Sequence, residues 1–105
     1  MSWDVLYTDD AIRDLQEIRG YISDVLRAPE TAERQVIRIM DAAESLDHMP
    51  LRHRLCDYEP LRSQGFRILP VDNYLVLYLP DESQGSVAIS RVIYGSRDIE
   101  RHLGE

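Results

Sequence analysis

Apolar positions along this chain follow two periods, and each period predicts a different kind of element. Between Asp9 and Arg27, Ile12, Leu15, Ile18, Ile22, Val25 and Leu26 recur three or four residues apart, with Ala11 on the same side. That spacing puts them on one face of a helix. Thr8 stands as its N-cap, and Asp9 and Asp10 fill the first turn, where the helix dipole favours acids. Ala28-Pro29 interrupts the run. A second helix starts at Pro29 or Glu30, since proline fits a first helical turn, and buries Ala32, Val36, Ile39, Met40, Ala43 and Leu46. It stops before Met49-Pro50, and the short break between the two predicts an antiparallel helix hairpin.

Around these helices the period is two. Trp3 to Tyr7 reads as a short first strand, and Leu51 to Gln64, the least periodic stretch, reads as mostly loop. Phe66 to Val71, Tyr74 to Leu79 and Ser86 to Tyr94 read as strands, joined by a tight Asp72-Asn73 turn and a longer turn from Pro80 to Gly85. Gly95 ends the last strand, and Ser96 caps a short final helix with Asp98 and Glu100 in its first turn. The order β-α-α-β-β-β-α is an α+β arrangement, an N-terminal helix hairpin packed on a small twisted antiparallel sheet.

A two-residue turn pairs Val71 with Tyr74, Leu69 with Val76 and Arg67 with Tyr78. Continuing across the next turn places Leu77 near Ile89 and Tyr78 near Ala88. One face then holds Phe66, Ile68, Leu75, Leu77, Leu79, Val87, Ile89 and Ile93, with Arg91 among them, and is expected to receive the helices. The other holds Arg67, Leu69, Val71, Tyr74, Val76, Tyr78, Ala88, Ser90, Val92 and Tyr94. Its aromatic, half-polar character marks it as a surface for a partner or ligand. A one-residue slip in the last strand exchanges Arg91 with its neighbours.

Composition narrows the classes. A length of 105 residues is expected to make one domain, and 44% hydrophobic with 30% charged residues is the balance of a folded globule. No run approaches a membrane span, the first residues carry no signal pattern, and the single cysteine, Cys56, forms no internal disulfide. A reducing, cytoplasmic setting with no membrane partner is the expectation. The net charge of −7 argues against tight unassisted binding to nucleic acid. The first 47 residues hold eleven acids against five arginines, and the rest eight against seven. Arg52, Arg54, Arg62 and Arg67, against Asp57 and Glu59, form a candidate basic patch. All the strongly basic residues are arginine, which fits either guanidinium recognition of phosphate and carboxylate or simple codon bias. His48, His53 and Cys56 lack the spacing of a standard zinc site, so neither metal nor cofactor is expected. The chain has no glycine-rich phosphate loop and no Ser/His/Asp set.

Two segments carry a family resemblance. They are Gly65-Phe66-Arg67-Ile68-Leu69-Pro70-Val71-Asp72-Asn73-Tyr74-Leu75-Val76-Leu77-Tyr78 and Ile89-Ser90-Arg91-Val92-Ile93-Tyr94-Gly95-Ser96-Arg97-Asp98. Together they resemble the C-terminal half of RelE/ParE toxins of type II toxin–antitoxin systems, and the helix hairpin with Met49-Pro50 fits the N-terminal half. The resemblance implies a toxin held inactive by a cognate antitoxin, with operator DNA bound only through that antitoxin. It implies one of two targets, DNA gyrase for ParE-like members or messenger RNA on the ribosome for RelE-like members. Cleaving RNA needs a base, an acid and cations around the phosphoryl group. By the resemblance, Arg67 takes a basic position on the first hairpin strand, Arg97 the terminal arginine, and Tyr94 a place where many relatives have histidine. These three are the candidate catalytic residues. Leu75 stands where an arginine is expected, and no lysine is present, so the motif sits closer to the ParE branch. A toxin-like module that only forms the antitoxin complex is a further alternative. Tyr74, Tyr78 and Arg91 are the candidate partner-binding residues, although Arg67 has an equal reading as a cross-strand cation–π partner of Tyr78. A partly buried Arg91 calls for an acidic partner from a helix.

Overall fold

The computed structural model describes residues 2–95. The expected Ser96 cap and final helix, and Arg97 with them, lie outside the described residues.

Strand β1 (Asp4–Tyr7) leads into helix α1 (Asp9–Gly20), where the Thr8 hydroxyl accepts a hydrogen bond from the Ala11 N–H at 3.1 Å. The helix runs on through a π-helical turn at Tyr21–Val25. Arg27, at φ 55°, turns the chain in the left-handed region before helix α2 (Pro29–Glu44), whose first turn holds the proline. Two 3-10 turns follow, Ser45–Asp47 and Pro50–Arg52, then a one-turn helix α3 (Leu61–Gln64) closed by Gly65 at φ 96°. Strands β2 (Arg67–Val71), β3 (Tyr74–Asp81) and β4 (Ser86–Tyr94) complete the described chain. Among the described residues no helix is long and apolar enough to cross a membrane.

The sheet order is β1-β4-β3-β2. The hairpin strands β2, β3 and β4 are antiparallel, as expected, but β1 lies parallel to β4 and the sheet is mixed. A crossover through two helices brings the last strand back beside the first in the same direction, which a tight turn cannot do. The pairs Arg67–Tyr78, Leu69–Val76 and Val71–Tyr74 form as read. Between Leu77 and Tyr78 the β3–β4 ladder shifts, so that Leu77 faces Arg91 and Tyr78 faces Ile89. The expected Leu77–Ile89 and Tyr78–Ala88 pairs are therefore replaced, Ser90 being the extra residue of a bulge.

On β2 and β3 the helices cover the opposite face from the one expected, while Val87 and Ile89 of β4 meet them as read. Leu69, Val71, Tyr74, Val76, Tyr78, Val87, Ile89 and Val92 pack against Ala11, Leu15, Val36, Ile39, Ala43 and Leu46. Ile68, Leu75, Leu77 and Ile93 form a second cluster with Cys56, flanked by Tyr58, Leu61 and Phe66. The stretch read as loop supplies that cover. Leu55 bridges to Arg67, and the Cys56 N–H donates to the Phe66 carbonyl at 2.8 Å. Both sheet faces are thus buried, and a strand apolar on both sides gives no period-two signal for which face meets the helices. The Ile68 N–H, on the outer side of β2, donates to the Arg54 carbonyl. Pro70, two residues on and on the same side, lacks the N–H that would leave that edge open.

Candidate functional site

The sheet end where β2 turns into β3 gathers the most chemistry. Tyr74 opens β3 and Tyr94 closes β4, opposite each other in the ladder, with rings 5.3 Å apart and inclined at 71°. The turn between β2 and β3 has Asp72 at φ 55°, the sign that the first central position of a primed hairpin turn requires and that aspartate tolerates. The Asp72 carboxylate accepts from Arg38 Nε and Nη2, both at 2.8 Å, and from Gln35 Nε2 at 3.0 Å. The Arg38 bonds above all, then that from Gln35, hold its pKa down at about 2. The hairpin tip is so tied to α2. A groove of about 450 Å³ lies alongside, lined by Tyr21, Ile22, Leu26, Thr31, Gln35, Asn73, Tyr74 and Tyr94. Burial, then proximity to Tyr94 and Tyr21, raises the Tyr74 pKa. Tyr94, Tyr21 and Leu26 are each more than half exposed.

Arg67 and Tyr78 stand in another row of the sheet. Arg67 Nη1 donates to the carbonyls of His53 at 2.6 Å and Leu51 at 3.1 Å. Tyr78 is fully buried, its hydroxyl donates to the Pro50 carbonyl at 2.6 Å, and burial pushes its pKa up to about 12. Together they fasten the 3-10 turn at Pro50–Arg52 to the sheet. Tyr78, expected at a partner surface, therefore sits inside the core, because the face that carries it is the one the helices cover.

Tyr94 shares its row with Tyr74 and Val71, and Val71 is four residues along β2 from Arg67. At about 3.3 Å per residue the two rows are roughly 13 Å apart. Arg67 and Tyr94 are not brought together, and Arg97 lies outside the described residues. Arg91 is engaged by a helical acid, Asp14, which is itself buried and accepts from Arg91 Nε at 2.7 Å and Nη2 at 3.0 Å. The basic patch is also largely engaged. Arg52 donates to the His48 and Met49 carbonyls and the Ser45 hydroxyl, and Arg54 pairs with Asp57 at 2.9 Å.

Sequence reasoning found Tyr74 and Tyr94 but missed Tyr21, Thr31, Gln35 and Asn73 in the groove they line. Tyr21 falls at the switch from α-helix to π-turn, where the 3.6-residue period loses phase and no longer reports which way a side chain faces.

Residues 5–99 match the family model described as the ParE toxin of type II toxin-antitoxin system, parDE. Among solved structures, the chain is similar to the chromosomal ParDE system from P. aeruginosa, with a TM-score of 0.74 at 20% identity over 90% of this chain and 98% of that one. It is similar to the RelBE2 toxin–antitoxin complex from Mycobacterium tuberculosis, with a TM-score of 0.68 at 23% identity over 90% and 92% of the two chains. The isolated E. coli RelE toxin gives a TM-score of 0.51 at 9% identity over 97% and 100%. At these identities the likeness to solved structures is one of fold. Comparison with curated proteins gives no match.

Proposed function

Since this chain belongs to the ParE toxin family of type II toxin–antitoxin systems, we propose that it arrests growth in the ParE manner, with DNA gyrase as target, while a cognate antitoxin holds it inactive. The observation that carries the choice of target is the separation of Arg67 from Tyr94. Ribonucleolytic transfer needs a base, an acid and a phosphate-binding cation within hydrogen-bond reach of one phosphodiester. Here Arg67 is committed to the carbonyls of Leu51 and His53, and Tyr94 sits about four residues up the sheet. No lysine exists to supply a further cation or base, and Leu75 follows Tyr74. The face offered by the exposed Tyr21 and Tyr94, beside the buried Tyr74, has instead the make-up of a protein-docking surface, in which tyrosines bring large area at little entropic cost. Operator DNA is reached only through the antitoxin, since a chain of net charge −7 has little attraction for a duplex.

The test is induction of this chain alone, with Arg97→Ala and Tyr94→Ala beside it. The expected result is growth arrest with intact messages and gyrase-linked DNA damage, weakened in both variants. Messages cut on ribosomes during the arrest would replace this reading with the RelE-like ribosome-dependent endoribonuclease. Absence of arrest would leave a module that serves only in the antitoxin complex.

A further inference from the structure

Tyr94 reaches the groove beside Tyr21 because β4 breaks its own alternation. Successive side chains of a strand point to opposite faces, so residues five apart in an unbroken strand face opposite ways. Ile89 and Tyr94 are five apart, yet both stand on the helix-covered face. Ile89 packs against the helices, and the Tyr94 ring meets that of Tyr74, a member of the same cluster. The extra residue is Ser90, passed over where Tyr78 pairs with Ile89 and Leu77 with Arg91. A bulge of this kind re-aims every side chain beyond it. Two side chains from the N-terminal segment grip the strand there. The Thr8 hydroxyl donates to the Ser90 carbonyl, in the bulge itself, at 3.0 Å. Just past it, the buried Asp14 accepts from the Arg91 guanidinium at 2.7 and 3.0 Å and from the Val92 N–H at 2.9 Å. Among the described residues Asp14 makes no other side-chain hydrogen bond.

We propose that Thr8 and Asp14 are positioning residues for the target-binding surface, and that by holding the bulge at Ser90 they keep Tyr94 on the groove face. The inference rests on the reading that Tyr94 meets the toxin's target, and it adds two residues that act on the target only through Tyr94. Strand pairing alone gives the end of β4 one neighbour. Its pairing with β1 stops at Ile89, and beyond that point only β3 runs beside it. A one-residue slip there carries Arg91 toward the apolar helix side and turns Tyr94 to the opposite face. Burial of Val92 disfavours the slip, and the clamp adds directional bonds that a slipped strand cannot make. The charge-assisted pair needs Arg91 opposite Leu77, and the carboxylate reaches the Val92 N–H only when that group points away from β3.

The experiment compares the full chain with Asp14→Ala, Asp14→Asn, a deletion of Ser90, and that deletion combined with Asp14→Ala. Two quantities are read, the nuclear Overhauser contact between the Tyr74 and Tyr94 rings and the toxicity per amount of folded protein in a titrated induction. Asp14→Ala is expected to lose the ring contact and on the order of tenfold in toxicity. Asp14→Asn, which keeps an acceptor but not the charge, should lose less of each, and it carries the test alone if the alanine variant does not fold. Deleting Ser90 removes the extra residue, so Ile89 and Tyr94 fall on one face by plain alternation. The deletion is therefore expected to keep the ring contact and the toxicity, and to restore both to Asp14→Ala. A residue that only stabilises the fold gives no such rescue. An unchanged ring contact in a folded Asp14 variant, or failure of the deletion to restore it, would overturn the proposal. Parent protein that keeps the ring contact without arresting growth, or that arrests it by cutting messages, overturns the target reading instead and leaves the clamp to be judged on the ring contact.

Discussion

The Asp14 carboxylate bonds at once to the guanidinium of Arg91, at 2.7 and 3.0 Å, and to the main-chain N–H of Val92, at 2.9 Å. Strand β4 outruns β1, whose pairing ends at Ile89. Beyond that point the edge of β4 is met by side chains from the start of α1. The Thr8 hydroxyl donates to the Ser90 carbonyl at 3.0 Å, and Asp14 takes the Val92 N–H. The helix start thus does the work of a missing strand, and the ion pair fixes where it sits. Asp14→Ala leaves Arg91 partly buried without its counter-charge and Val92 without its acceptor. A loss of about 2–4 kcal/mol in urea-denaturation stability is expected, with Asp14→Asn losing clearly less because it keeps an acceptor. Equal stability of Asp14→Ala and the parent would show that the pair only decorates the fold.

Arg67 and Tyr78 should behave as structural residues. Tyr78→Phe removes the hydroxyl that meets the Pro50 carbonyl and is expected to cost about 1–2 kcal/mol. Arg67→Ala frees the carbonyls of Leu51 and His53 and should cost a similar amount. In both variants residual toxicity, measured as growth after induction, should track the amount of folded protein. A well-folded Arg67→Ala protein with no toxicity would return this arginine to the active surface.

Tyr94 should behave in the opposite way. It is 60% exposed, so Tyr94→Ala is expected to change stability by less than about 1 kcal/mol even with the loss of its ring contact to Tyr74. Toxicity should nevertheless fall by on the order of tenfold in a titrated-induction assay, as for truncation of an interface tyrosine. Full toxicity in Tyr94→Ala would move the target surface elsewhere.

The hairpin clamp gives a pH signature. Asp72 titrates at about 2 in the folded chain against an ordinary 3.8, so its ionised form favours folding. That contribution is complete above about pH 5 and is lost as the pH falls through 2. Arg38→Ala removes the main cause of the shift. The stability difference between parent and variant, read from denaturation curves, should be constant from about pH 5 to 7 and close progressively below pH 4. A difference that stayed constant down to pH 2 would assign the Arg38 effect to packing.

Much of this fold is legible in the sequence where one physical constraint dominates. Thr8 followed by two aspartates starts a helix, Asp72-Asn73 sets the hairpin pairing, and an arginine inside a strand demands an acid, which Asp14 supplies. The helix-facing side of the sheet was not legible. Ile68, Leu75 and Leu77 on one face are as apolar as Leu69, Val76 and Tyr78 on the other, and the layer that buries the former comes from the aperiodic stretch around Cys56, Tyr58 and Leu61. The bulge at Leu77/Tyr78 was equally hidden, since no glycine marks it. Of the candidate site, Tyr74 and Tyr94 were found through motif resemblance, while the groove they share depends on how the π-turn at Tyr21 swings the helix tip over the hairpin.

The parallel pairing of β1 with β4 has a consequence for biosynthesis. Thr8 and Ser90, which the sheet makes neighbours, are separated by 82 positions in the chain. On the ribosome, β1 emerges early and waits, unpaired, until Ser86 to Ile89 of β4 have been made. No nascent fragment ending before Ser86 has a seat for β1, and Asp14 has neither Arg91 nor Val92 to hold. Translation thereby acts as a timer, since β1 joins the sheet only after β4 has been made, long after its own residues have left the ribosome.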